Sequence, residues 1–208
     1  MGLFSNILSA LSSASASKVP IQKTIAFDSN WYDSWESLRI EQQHNSQSIE
    51  VSVSFDEELL KEIWDSIQTR TGSTRILYDD EQQPINNVGE SYRQTQIEEF
   101  CGGKSGEDLG WLAGFLLPEL ANPHDKTAVA IYVIKPMNQN NQVSRDSFSI
   151  LHGGYMDRES AKKVHKKIIN LMGKDRYIPL LIRIQGGTSE KPNFGVFAYA
   201  KTTAIKFP

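Results

Sequence analysis

The stretch that decides the fold is Asn122-Pro123-His124-Asp125-Lys126-Thr127-Ala128-Val129-Ala130. Asn, Pro and Asp are turn formers, because proline fixes its own φ and the short polar side chains hydrogen-bond nearby backbone groups. Residues 128–134 are apolar and rich in β-branched side chains, which is typical of a buried strand. The stretch therefore predicts a tight turn that leads into a buried strand.

The segments on both sides of this stretch extend the β pattern. We expect further strands at 111–117, 148–155, 178–184 and 194–199, one that ends near Val88, and a polar hairpin-like insertion at 138–145. Asp157 predicts the N-cap of a helix that runs to Gly173, and a shorter helix is expected from Arg93 to Phe100. Short strands with few helices indicate a small barrel or sandwich.

Residues 21–85 predict a separate α/β region. Residues 49–55 alternate between apolar and polar, which indicates a half-buried strand, and Asp56 begins a helical pattern. Residues 74–78 form a strand candidate before a polar loop at 79–84. Trp31, Trp35 and Trp64 are expected as anchors in the core or at an interface. Residues 12–19 have the Ser/Ala-rich composition of a linker.

Composition limits the classes of protein that fit the chain. Its 208 residues are 39% hydrophobic with a net charge of −3, which indicates a packed core and argues against non-specific coating of nucleic acid. The charge is uneven, because residues 151–208 hold 11 basic and 4 acidic residues whereas residues 1–150 hold 11 and 21. The basic C-terminal part is compatible with a local phosphate-binding face.

The lone cysteine, Cys101, allows no internal disulfide and fits a reducing compartment. No apolar run has the length that spans a bilayer, so we expect no transmembrane segment. Residues 3–11 carry an apolar helical stripe, which more often packs on protein than on a membrane surface. These features favour a cytoplasmic or nucleoid-associated protein.

Three motifs, in order and with matching spacing, resemble the HIRAN family. They are Val88-Gly89 followed by the aromatic Tyr92, then Asn122-Pro123-His124-Asp125 before Ala128-Val129, and Gly154-Tyr155 before Arg158-Glu159-Ser160-Ala161. The resemblance covers about half of the chain and implies an OB-like small β-barrel with short helices. We therefore expect an α+β, mainly β protein with a barrel domain at 86–208, an α/β extension at 21–85, and an amphipathic segment and linker at 1–20.

The resemblance implies a non-catalytic DNA-binding module that holds single-stranded DNA at its 3′ end, as at damaged or stalled forks, without cofactor or metal. Tyr92 would stack on a base, an interaction worth about 1–3 kcal/mol. Asp125 would accept a hydrogen bond from the terminal 3′ hydroxyl, which an internal phosphodiester cannot donate. His124 stands where the family has tyrosine.

Three more residues are implied at this site. Tyr155 and Arg158 match positions that approach the terminal nucleotide and its phosphate, and Phe194 would cover the pocket. Besides His124, two more residues depart from the family's pattern, since Ser91 stands where DNA-binding members have arginine and Asp157 where a basic residue would help.

The same residues fit other interpretations. The segment 122–125 is also a tight turn without a ligand, the tyrosines also fit rim packing, and lysines 162, 163, 166 and 167 also fit a solvated helix face. The alternative function is a protein-interaction or scaffold module that docks a partner through residues 1–85. An enzyme is not expected, because the sequence contains no nucleophile elbow, no metal-ligand spacing and no nucleotide-binding fingerprint. A hydrolase whose site these motifs do not reveal is the third option.

Overall fold

The computed structural model describes residues 20–44, 49–71, 84–122, 124–139, 142–200 and 205–206. The predicted apolar stripe at 3–11, the linker at 12–19, the strand candidate at 74–78, most of the loop at 79–84 and Pro123 lie outside these ranges. None of the described helices is long and apolar enough to cross a membrane.

The N-terminal part alternates strands with helices. Its elements are β1 (Ile21–Phe27), α1 (Trp31–His44), β2 (Ile49–Phe55) and α2 (Glu57–Thr71). β1 and β2 pair in parallel along their whole length. Asp56 begins α2 as predicted, since its carboxylate accepts hydrogen bonds from the backbone N–H groups of Glu58 and Leu59.

The sequence pattern does not predict β1 and α1. Lys23 interrupts the apolar alternation of β1, and in the structure its ammonium group lies 3.0 Å from the Glu41 carboxylate of α1. α1 is mostly polar, and its buried face is formed by Trp31, Trp35 and Leu38, which lie one above the other at helical spacing. The expectation that Trp31 and Trp35 belong to the core is confirmed.

The remaining elements form a mainly antiparallel sheet with two helices. They are β3 (Asn87–Val88), α3 (Gln94–Cys101), β4 (Trp111–Pro118), β5 (Val129–Gln139), β6 (Gln142–Met156), α4 (Arg158–Met172), β7 (Arg176–Tyr177), β8 (Pro179–Gln185), β9 (Gly195–Ala200) and β10 (Ile205–Lys206). Short 3₁₀ turns span Glu90–Arg93 and Glu107–Leu109. β7 and β10 form a separate antiparallel pair.

Six strands form one antiparallel sheet in the order β3-β6-β5-β4-β8-β9. The backbone N–H of Ile85, just before β3, donates to the carbonyl of Ala198 on β9 at 2.7 Å. This bridge brings the two edge strands together, so the sheet is a nearly closed barrel. The described part of the chain is thus mainly β with four helices, and the prediction of a small barrel is confirmed at this level.

Both barrel helices have the predicted ends. The Asp157 carboxylate caps α4 by accepting hydrogen bonds from the N–H groups of Glu159 and Ser160. Gly102 closes α3 at φ +66°, a left-handed conformation that glycine adopts without strain.

An aromatic stack joins the N-terminal elements to the barrel. The ring of Phe27 on β1 lies 4.7 Å from that of Phe115 on β4, and Phe115 lies 5.4 Å from Tyr132 on β5. Phe55 on β2 packs edge-on against Phe115 at 5.5 Å. One continuous hydrophobic core therefore spans residues from both predicted regions.

Candidate nucleic-acid interface

The described residues of the loop between β4 and β5 are held together by hydrogen bonds between side chains and the backbone. The Asn122 side-chain oxygen accepts hydrogen bonds from the backbone N–H groups of His124 (2.9 Å) and Asp125 (3.1 Å). One carboxylate oxygen of Asp125, Oδ1, accepts from the backbone N–H (2.8 Å) and the hydroxyl (2.7 Å) of Thr127. Side chains that bond their own backbone in this way fix a turn before the strand begins, as predicted for this segment.

The second carboxylate oxygen of Asp125 faces an exposed guanidinium. Its Oδ2 atom lies 3.3 Å from Nε of Arg158, in the first turn of α4. The side chain of Asp125 is 25% exposed and that of Arg158 is 69% exposed. The hydroxyl and N–H of Thr127 hold the pKa of the Asp125 carboxyl below its usual value. The site thus offers a carboxylate oxygen near the surface beside an exposed cation.

A half-buried carboxylate that the sequence patterns do not reveal, that of Glu119, holds this loop against the barrel. Oε2 of Glu119 accepts hydrogen bonds from the Asn122 amide (2.8 Å) and the Tyr155 hydroxyl (3.0 Å), and Oε1 lies 3.4 Å from Nε2 of His152. Burial opposes ionisation of Glu119, but the three donors outweigh it and its pKa lies below the usual value. The backbone N–H of Gly154 donates to Nδ1 of His152, which leaves the proton of a neutral ring on Nε2.

Tyr155 is a fixed wall of the site. Its hydroxyl is bound to Glu119, its ring meets the ring of His152 at 4.7 Å, and the guanidinium of Arg93 lies 5.6 Å from its centroid. Burial, together with the Glu119 carboxylate, raises the pKa of Tyr155 to about 12. Tyr155 is half-buried, so a nucleotide would contact only the exposed part of its ring.

Tyr92 is 90% exposed on the 3₁₀ turn Glu90–Arg93. Its backbone N–H donates to the carbonyl of Gly89 at 3.2 Å, which fixes the turn. Gly89 has φ +87°, and a Cβ atom built there would lie 3.9 Å from the ring of Tyr155. The turn therefore lies against Tyr155 through Gly89 and Arg93, and it presents the exposed ring of Tyr92 to solvent.

Phe194 occupies a different environment. It is 8% exposed, its backbone N–H donates to the side chain of Gln94 at 2.7 Å, and its ring lies against Gly187. The ring lines a cavity of about 270 Å³ together with Gln94 and Glu98. Within the described residues no hydrogen bond or ring contact joins it to Tyr155 or Asp125, so the structure does not bring this residue to the loop.

A stripe of basic side chains begins at Arg158, the partner of Asp125, and continues along α4. Arg158, Lys162 and Lys166 are exposed, and a spacing of four residues places them on one helix face. Lys162 also pairs with Glu159 at 3.2 Å. Lys163 and Lys167 are exposed as well, which confirms that the lysines of α4 face outward.

Contacts form a continuous chain that runs from Arg93 through Tyr155, Glu119, Asn122 and Asp125 to Arg158. Three of the six predicted residues, Tyr155, Asp125 and Arg158, belong to this chain, and Tyr92 and His124 are the chain neighbours of Arg93 and Asp125. Sequence patterns do not reveal Glu119, because its partners His152 and Tyr155 lie on a strand distant along the chain. In the described part of the chain no group of three or more His, Cys, Asp or Glu side chains is placed to hold a metal ion. No protein-family model, curated protein or solved structure matches this chain.

Proposed function

We propose that the chain is a HIRAN-like, OB-type barrel module that binds the 3′ end of single-stranded DNA without catalysing a reaction. One observation carries the proposal: Tyr92 is 90% exposed on a turn that contacts Tyr155, and a chain of contacts leads from Tyr155 to the Asp125–Arg158 pair. Recognition of a strand end needs a surface on which a base stacks and a group that reads the terminus, and we assign these roles to Tyr92 and Asp125.

The exposed ring supports binding of a base. A tyrosine ring that is almost wholly in water has both faces available, and every base has a flat face that stacks on it. Because the backbone N–H of Tyr92 is bonded to Gly89, the backbone of the turn loses little freedom when the base binds, and the ordering cost falls mainly on the side chain. His124, which is also exposed, adds a smaller planar ring on the adjacent loop.

The Asp125–Arg158 pair supports recognition of an end. The Oδ2 atom of Asp125 is not committed to the turn, so it is able to accept a hydrogen bond from a 3′ hydroxyl. A strand that continues, or that ends in a phosphate, brings negative charge towards this carboxylate and is repelled. Arg158 and the lysine stripe on α4 supply cations for the phosphates that precede the end.

The proposal is tested by comparing two fluorescein-labelled oligonucleotides that differ only in a 3′ hydroxyl or a 3′ phosphate. We expect tighter binding of the hydroxyl end in fluorescence anisotropy. Asp125→Asn keeps an oxygen for the Thr127 hydrogen bonds but removes the charge, so the preference should disappear through stronger binding of the phosphate end.

Asp157→Asn is the matched control, because Asp157 also bonds nearby backbone N–H groups and lies next to Arg158. This variant should keep the preference for the hydroxyl end. Equal binding of the two oligonucleotides by the unaltered chain, or an Asp125→Asn variant that discriminates as well as the parent, would refute end recognition.

A further inference from the structure

A second cavity, of about 500 Å³, lies between the N-terminal elements and the Glu119 carboxylate. Its walls include Trp35 of α1, residues 49–53 of β2, and Glu119, Tyr132 and His152 of the barrel. The DNA-binding surface proposed above does not use these N-terminal walls. The cavity shares Glu119 and Asn122 with the proposed DNA site, but the proposed function leaves its N-terminal walls unexplained.

The cavity runs along the edge of β2. Side chains of successive strand residues point to opposite faces, and Ile49, Val51 and Val53 are half-buried whereas Glu50 and Ser52 are exposed on the other face. All five residues nevertheless line the same cavity. Side chains from both faces of a strand border one cavity when the cavity lies beside the strand, so that the backbone edge forms its wall.

This edge of β2 is open within the described part of the chain. β2 pairs with β1 on one side, and no other backbone hydrogen bond involves residues 49–55 there. An unpaired strand edge presents a row of N–H and C=O groups that bind another extended segment. The half-buried side chains of Ile49, Val51 and Val53 add an apolar surface beside it.

The charge around the edge is negative. Glu119 faces the cavity with its side chain 18% exposed, and Glu50 lies on the strand itself. Residues 20–71 contain ten acidic and four basic residues. A segment that adds to this edge therefore meets an attractive potential if it carries a lysine or arginine, and a repulsive one if it is acidic.

We propose that the open edge of β2 binds an extended segment of a partner protein as an added strand, with a lysine or arginine of that segment directed at Glu119. The backbone groups of residues 49–53 supply affinity, and the carboxylate supplies specificity. The chain is then an adaptor that holds a DNA end on one surface and a basic peptide on another.

The test begins with selection of displayed random peptides on the full chain. We expect the selected sequences to lack proline, to alternate apolar residues and to share one basic residue. A synthetic peptide of the selected sequence should slow hydrogen exchange of the amides of residues 49–53 that face the cavity. Two further forms of the peptide test the backbone pairing. One carries N-methyl groups on every second residue, and the other carries them on the residues between. The two forms should differ in affinity, because only the residues whose N–H groups face β2 donate hydrogen bonds to it.

Glu119→Gln and replacement of the basic peptide residue by norleucine test the charge. Each should weaken binding about tenfold, and the combination should weaken it little further, because both remove the same interaction. Glu58→Gln, an exposed carboxylate at the start of α2, is the control and should not alter affinity.

Three results would overturn the proposal. They are a selection that yields no shared basic residue, a bound peptide that leaves exchange at residues 49–53 unchanged, and equal binding of the two N-methylated forms. The last two measurements use the unaltered protein, so a Glu119 variant that fails to fold does not affect them.

Discussion

Replacing Tyr92 by alanine should weaken DNA binding without destabilising the fold. The ring is 90% exposed, so its removal takes almost no buried surface from the native state, and surface changes of this kind alter stability by about 0.5 kcal/mol or less. If a base stacks on the ring, the same change removes about 1–3 kcal/mol of binding free energy, which corresponds to roughly a 5- to 150-fold loss of affinity.

The assay is fluorescence anisotropy with a short oligothymidylate that has a free 3′ hydroxyl, accompanied by thermal unfolding of each variant. Tyr92→Trp should bind at least as tightly as the parent, since a larger ring stacks as well or better. Ile40→Ala removes an exposed side chain on α1, 49% exposed, and serves as the control that should bind normally. Tyr92→Ala with parental affinity, or Tyr92→Trp as weak as alanine, would refute the stacking role.

Three further outcomes are expected. Phe115→Ala, which removes a fully buried ring between the N-terminal elements and the barrel, should cost about 3–5 kcal/mol and leave one cooperative unfolding transition in calorimetry; two separated transitions would contradict a shared core. The fold lowers the pKa of Glu119, so the ionised carboxylate contributes its full stabilisation above the ordinary pKa of 4.5 and loses it as the pH falls through the lower pKa of the folded state. The free energy of unfolding, measured with denaturant, should therefore depend less on pH below 4.5 in Glu119→Gln than in the parent. Arg158→Gln should reduce the slope of log affinity against log salt by about 0.7 per lost phosphate contact, whereas Lys191→Gln on a distant loop should leave it unchanged.

Local signals were sufficient to predict most of the barrel. The apolar runs that became β4, β5, β8 and β9 are strands in the structure, and the caps at Asp56 and Asp157 begin α2 and α4. These features depend on neighbouring residues alone, which is why periodicity and capping chemistry reveal them.

Tertiary contacts decided the rest. β1 and α1 escaped prediction because Lys23 and a polar helix face are accommodated by an ion pair and by burial of two tryptophans against the barrel. Glu119 escaped prediction because two of its partners, His152 and Tyr155, lie on β6, which is separated from β4 by β5 in the sheet and by more than 30 residues along the chain. The resemblance implied a role for Asp125. Only the structure shows that Thr127 donates to one of its carboxylate oxygens and that Arg158 faces the other.

Tertiary contacts also decide the burial of Phe194. An aromatic residue just before a strand is equally able to cover a ligand or to support the fold. Here the side chain of Gln94 binds both its N–H and its carbonyl, and Gly187 leaves space for its ring. Composition and spacing do not distinguish these two roles.

The most direct measurement is a nuclear magnetic resonance titration of the isotope-labelled full chain with a single-stranded oligonucleotide that has a free 3′ hydroxyl. We expect the largest shifts at Tyr92, at His124–Thr127 and at Arg158, and much smaller ones when the same oligonucleotide ends in a 3′ phosphate. Shifts confined to other surfaces, or none at all, would contradict the claim that this part of the barrel binds DNA ends.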